Sequence, residues 1–426
     1  MENLKIANMQ AETEEKTTSK PKRKYTRRTT SSKAKATAKA PKPKYEKIFA
    51  LDIGTRSVIG IVADKTPAGL KIIATERMEH KTRAMEDGQI HDVPQVASVI
   101  DTVKNALIKK VGPLKSAAVA AAGRALYTMT ASAEMEFSGI ITPEQERSLD
   151  FAGVQAAQAQ LATSGTVEDL ANYYCVGYST VKYELDGTKL KTLVGQRGRV
   201  ASATVIATFL PRQVIDSMHS ALQSVKLDMH ALTLEPIAAI NVLIPPTMRH
   251  LNLVLVDIGA GTSDVAITRN GSVIAYGMVP QAGDEITDAI SQQYLLDFNV
   301  AEQLKRDATN GLQCHFADIM GMEYDLSATE VLKPVLPNIR KLAESIAQQI
   351  LELNGNEPPQ AIILVGGGSL TPHLSDYVAE IMNLPMGRVA VRHPDKIDGI
   401  VDIPEELRLP DAVTPLGILK IASLNT

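Results

Sequence analysis

The chain contains no tryptophan, and aromatic residues of all kinds make up only 4% of it. Its core must therefore be packed from aliphatic side chains, since the large ring contacts of Trp and Phe are scarce. Cysteine is nearly absent. Cys175 and Cys314 stand far apart without C-x-x-C spacing, which excludes a disulfide framework or a zinc ribbon and suits a reducing compartment. No apolar run approaches the ~18–20 residues of a membrane span. The N-terminus has no apolar segment of the kind a secretory signal needs, so a cytoplasmic location is expected. A large net charge is missing too: the formal value is −3 over 426 residues. That near-balance hides an asymmetry. Residues 1–47 hold 14 Lys/Arg against five Asp/Glu, a surplus of nine, so the remainder carries −12.

The stretch that organises the rest is Leu253 to Arg269, LVLVDIGAGTSDVAITR. Two apolar runs flank Asp257, Gly259, Gly261, Thr262 and Asp264, a pattern that reads as strand, glycine-rich turn, strand. Glycines let the backbone approach a ligand, and successive amide N–H groups can form an anion site. Asp257 and Asp264 would repel bare phosphates, so a divalent cation between carboxylate and phosphate is expected. Mg²⁺ commonly keeps its waters and takes one or two carboxylates. Thr262 and Ser263 add hydroxyl donors. Alone, the stretch is equally a hairpin whose glycines only satisfy a turn.

It has a second copy. Phe49 to Asp64, FALDIGTRSVIGIVAD, repeats the apolar–Asp–Ile–Gly pattern and the strand that follows. A strand–turn–strand unit repeated this far apart suggests two similar domains gripping one nucleotide from opposite sides. A third glycine turn, Gly366, Gly367, Gly368 and Ser369, follows a buried strand in AIILVGGGSLTPHL and leads to a helix.

These paired DIGT and DIGAGT hairpins, followed by the GGG turn, resemble the actin, sugar kinase and heat-shock ATPase superfamily, and within it the division protein FtsA, with the pilus protein PilM next. The resemblance covers roughly residues 45 to 424. It implies an α/β fold of two duplicated RNase H-like domains around a nucleotide cleft, with ATP and Mg²⁺ as cofactors. It implies phosphate contacts from Asp52, Gly54, Thr55, Arg56 and Ser57 and from the second hairpin. Mg²⁺ would be held through water by Asp52 and Asp257. The family's L-E-P-x-A piece places Glu235 where a carboxylate can order the attacking water, with Asp257 as the other catalytic carboxylate; the plainer alternative is that Glu235 only caps the helix started by Pro236. Gly283 and Asp284 would face the nucleotide. Glu302 and Lys305, in the family's A-E-x-L-K piece, would approach ribose and adenine, the alternative being an i,i+3 ion pair.

The expected organisation is a disordered basic tail over 1–44, a first domain from 45–78 and 142–235, and an FtsA-type inserted lobe over 79–141. A second domain, 236–424, carries a small lobe near 300–338. The lobe is suggested by Gly88-Gln89-Ile90-His91-Asp92, followed by a helix with apolar Val96, Val99, Ile100, Val103 and Leu107. The tail reads as a solvated segment, or more sharply as an electrostatic contact to an anionic membrane; nucleic acid is not the expected partner. The expected function is an ATP-binding, self-associating scaffold linking a tubulin-like division protein to other division proteins, at most a slow ATPase. A PilM-like pilus adaptor is the runner-up, and a small-molecule kinase is disfavoured because no substrate motif is visible. The Lys/Arg-rich amphipathic helix that usually ends FtsA is not seen after Leu424.

Overall fold

The structure, a computed structural model, describes residues 45–123, 126–164 and 172–424. The basic tail expected over 1–44 lies outside them. The chain begins with β1 (Glu46–Ile53), β2 (Ser57–Thr66) and β3 (Gly69–Glu79), a short hairpin β4 (Met85–Glu86) and β5 (Gln89–Ile90), helix α1 (Val93–Val111) and β6 (Ser116–Ala121). The Asp92 side chain accepts the Gln95 amide at the start of α1, Pro94 sits in its first turn, and Lys109 and Lys110 occupy its last. Val96, Ile100, Val103 and Leu107 are buried, as their helical spacing predicts.

Next come β7 (Tyr127–Glu136), α2 (Pro143–Thr163), β8 (Tyr173–Leu185), β9 (Thr188–Leu190) and β10 (Val200–Pro211). The chain then returns through α3 (Arg212–Ser224), β11 (Asp228–Leu234) and α4 (Glu235–Leu243). The second half opens with β12 (Leu253–Ile258), β13 (Ser263–Arg269), β14 (Ser272–Val279), α5 (Gly283–Tyr294) and α6 (Phe298–Thr309). A small lobe follows, of β15 (Cys314–Ala317), β16 (Glu323–Leu326) and α7 (Ala328–Leu332), then α8 (Leu336–Leu353) and β17 (Ala361–Val365). The chain closes with α9 (Leu374–Ile381), β18 (Val389–Val391), β19 (Ile400–Val401) and α10 (Val413–Leu424).

Two mixed sheets dominate. One runs β11-β6-β1-β2-β3-β19, the other β14-β13-β12-β17-β18. In each, an antiparallel hairpin meets a parallel partner: β1 pairs with β2 and β6, and β12 with β13 and β17. One aliphatic core covers the first sheet and extends to Leu253, Leu255, Ala266 and Val365 of the second, while another is built on Val254, Val256 and Ile258 of that second sheet. The buried run Leu253–Ile258 is the signature of a strand covered on both faces.

The structure redraws two of the expected boundaries. Residues 79–141 are not a lobe. α1 packs on β2 and β3, and β6 lies inside the first sheet between β1 and β11. The separate unit is instead the four-stranded sheet β7-β10-β8-β9 with α2 on one face. A helix-then-strand pattern looks alike in a lobe and in a sheet; β6 is settled by its parallel pairing with β1 and β11, which no local pattern records. Likewise the second half is not closed at Leu424. β19 pairs with β3, and α10 packs on α4, β1 and β2.

Candidate functional site

The two hairpins are closed by the same bond. The Gly54 N–H donates to the Ser57 carbonyl at 3.0 Å, and the Gly259 N–H donates to the Thr262 carbonyl at 2.8 Å. Asp52 and Asp257 stand at equivalent positions, two residues before those glycines. Around them the structure gathers Asp264 and Glu235. Asp257 and Asp264 are buried, while Asp52 and Glu235 keep some accessible surface.

Burial raises every member of this quartet, and neighbouring carboxylates of the quartet raise Asp52, Asp264 and Glu235 further. Asp52 is pushed up to about 7 by burial and by Asp257, with Arg77 opposing. Asp264 is pushed to about 7 by burial and Asp257, although the Gly123 N–H donates to it at 2.8 Å and Thr262 at 3.2 Å. Asp257 reaches about 6, raised by burial and lowered by the Thr414 hydroxyl that donates to it. Glu235 is raised well above the usual carboxylate range by burial, Asp264, Asp52 and Asp257. Glu235 is the first residue of α4 and Leu234 takes the capping position without a side-chain bond, so capping does not explain this carboxyl.

Among the described residues, no group of three or more His, Cys, Asp or Glu is placed to ligate a metal directly. Asp52, Asp257, Asp264 and Glu235 offer carboxylate oxygens, the donor type that a hard cation such as Mg²⁺ takes directly or through its water shell.

The third glycine turn closes on the second hairpin. Gly366 has φ +80°, and a Cβ there would overlap Asp257 Oδ1. A side chain would meet both backbone strain and the carboxylate. The turn runs into a short 3₁₀ segment, Gly367–Leu370, and the α-helix starts only at Leu374. Gly368 packs on Ile258 and the Gly259 carbonyl, Ser369 Oγ donates to the Gly366 carbonyl at 2.7 Å, and Gly367 is exposed.

At α5, the Gly283 N–H donates to the Gly259 carbonyl at 3.2 Å and the Asp284 N–H to the Ala260 carbonyl at 2.8 Å. Glu302 and Lys305 are in an ion pair of 2.8 Å. The Lys305 ammonium also donates to the Gly283 carbonyl at 2.8 Å and to Thr287 Oγ1 at 2.7 Å, which uses its three protons. Glu302 additionally accepts from Thr287 and Arg306. Burial would raise its pKa, but Lys305, Thr287 and Arg56 outweigh it and hold the group at about 2. In this conformation both side chains therefore brace the Gly283–Asp284 turn. Arg56, from the first hairpin, reaches over to Asp284 at 2.7 Å and Glu302 at 3.7 Å.

Other residues at the site carried no separable sequence signal. Asp87 backs onto Gly261, the Gly88 N–H donates to Thr55 Oγ1 at 3.1 Å, and Thr414 comes from the far end of the chain. Gly88 belongs to the Gly88–Asp92 motif expected to open a lobe, and here it meets the first hairpin instead.

A two-domain α/β molecule with duplicated acidic hairpins facing each other has the actin fold. Consistent with this, the chain superposes on the PilM–PilN type IV pilus biogenesis complex with a TM-score of 0.63 at 14% identity, covering 88% of this chain and 98% of that one. It also matches MreB 5 of Spiroplasma citri bound to AMPPNP, with a TM-score of 0.50 at 16% identity over 90% and 98% of the two chains. The model of the cell division protein FtsA matches residues 254–417. Cell division protein FtsA of Pseudomonas aeruginosa is 23% identical over 392 residues, 87% of this chain and 88% of its own length. That of Bacillus subtilis is 20% identical over 89% and 84%. The chain is thus similar to cell division protein FtsA over most of its length and shares the fold of the actin-like proteins.

Proposed function

We propose that the chain is an ATP-binding, actin-fold scaffold of bacterial cell division that links a tubulin-like division protein to other division proteins and self-associates. One observation carries this reading: two hairpins closed by the same hydrogen bond bury carboxylates together, so that burial and then the Asp257 charge raise the pKa of Asp52 and Asp264. That arrangement is costly unless a cation offsets it.

When bound, hydrated Mg²⁺ would supply positive charge between these carboxylates and the phosphates of ATP. Asp52 and Asp257 would hold its water shell, and Thr55, Thr262 and the loop amides would face the phosphates. Glu235 would orient a water, and its raised pKa suits a group that shares a proton with that water. The Glu302–Lys305 pair would act through the Gly283–Asp284 turn. Turnover need only be slow, because nucleotide acts here by favouring one closure of the cleft and so setting partner affinity. Contact with the inner face of the membrane would come from the basic tail.

The test is Asp257→Ala. Calorimetry with ATP and Mg²⁺ is expected to show a loss of about 10–100-fold in affinity, the range for one charged hydrogen-bonding group. Nucleotide-dependent co-sedimentation with a tubulin-like division protein should fall with it. Unchanged affinity together with unchanged assembly would defeat the proposal.

A further inference from the structure

We propose that His80 is the positioning residue of the first phosphate loop, doing with a side chain what the N-terminus of α5 does for the second. This rests on the nucleotide reading above. In the second hairpin, the Gly259 and Ala260 carbonyls are tethered by the Gly283 and Asp284 amides. Gly54 is the counterpart of Gly259, since both close their turns through the same bond. No helix begins beside Gly54. Its carbonyl instead lies 3.1 Å from His80 Nε2, and the Arg56 carbonyl accepts the His80 backbone N–H at 3.0 Å. One residue just beyond the end of β3 thus holds two carbonyls of a three-residue loop.

The chemistry assigns the tautomer. A carbonyl oxygen can only accept, so Nε2 carries the proton and Nδ1 is bare. His80 is 8% exposed, and Nδ1 is buried with no hydrogen-bond partner. Burial pushes the ring below the usual histidine range; the bond to Gly54 opposes this and the nearby Arg56 cation adds to it. The neutral, Nε2-protonated ring is therefore the working form.

The consequence follows from peptide geometry. In a planar trans peptide, the C=O and the next N–H point in opposite directions. Fixing the Gly54 carbonyl on the His80 side turns the Thr55 N–H away from it. The tether on Gly259 turns the Ala260 N–H away from α5 in the same manner. Both loops then present an amide to the phosphates from opposite halves, and the first does so only while His80 donates.

The experiment uses the full chain carrying His80→Phe, which keeps a ring but removes the donor, and His80→Gln, which restores an N–H donor. Affinities for ATP, ADP and adenosine are measured by calorimetry with Mg²⁺, beside the melting temperature. His80→Phe should weaken ATP and ADP about tenfold, as expected for a buried carbonyl left unpaired and a loop set free. Adenosine should change less than about twofold on that same basis, and His80→Gln should recover most of the ATP affinity. Should His80→Phe not fold, His80→Leu carries the same expectation. A folded donor-less variant with wild-type ATP affinity, or with equal losses for ATP and adenosine, overturns the role of His80. A wild-type chain that binds adenosine but gains nothing from phosphates, or binds none of the three, overturns the nucleotide reading and this proposal with it.

Discussion

Asp52, Asp257 and Asp264 each hold a proton more tightly in the folded chain than an exposed carboxylate does. Between the ordinary carboxylate range near 4 and their folded values near 6 to 7, the native state binds more protons than the unfolded one. Stability must then fall as pH rises through that window. The melting temperature of the nucleotide-free protein is expected to drop between pH 5 and pH 8. Asp264→Asn should flatten the drop, since it removes one charge that raises Glu235. A wild-type melting temperature that climbed steadily over that range would contradict the raised pKa values. The same residues show what a pattern can reveal. Asp52 and Asp257 stand out because they begin a repeated motif, whereas Thr414, which donates to Asp257, and Gly123, whose N–H donates to Asp264, come from distant segments with no motif of their own.

At the level of elements, α4 and α10 cross between the halves of the molecule, and both are buried on almost every face. Gly417 makes their crossing possible, because a Cβ there would overlap the Ala238 carbonyl of α4. Backbone cannot give way as a flexible side chain would. Gly417→Ala is therefore expected to destabilise by about 1–3 kcal/mol, the usual range for overpacking, although alanine is the better helix former by roughly 1 kcal/mol. Thermal or denaturant unfolding measures it, and a stabilised variant would show that the two helices can separate cheaply. α1 is legible from its apolar spacing and its Asp92 cap. β6 was legible as a strand, but its place in the first sheet was not, because parallel pairing leaves no local mark.

Across the whole molecule, the halves are joined by ion pairs as well as by helices. Arg56 pairs with Asp284 at 2.7 Å, with side chains 17% and 12% exposed. Arg306 pairs with Glu79 at 2.6 Å, with side chains 38% and 45% exposed. Arg56 and Arg83 also lie over the Phe298 ring, with centroid distances of 4.8 and 4.5 Å. Distance alone would rank the ion pairs as equals, but solvent screening separates them. A double-mutant cycle of Arg56→Gln with Asp284→Asn should give a coupling of about 1–3 kcal/mol. Arg306→Gln with Glu79→Gln should stay within about 1 kcal/mol, as exposed pairs do. Equal couplings would mean that solvent reaches both alike.

The amino-acid sequence by itself determined the class of the protein and marked its paired acidic hairpins. Glycine turns flanked by apolar runs are local, and each copy reports on the other. Only the tertiary structure decided which segments form the four-stranded lobe, that β19 pairs with β3 of the first sheet, and that Glu302 and Lys305 brace a turn. Those outcomes depend on hydrogen bonds and contacts between residues far apart in the chain, where a pattern of neighbours carries no information.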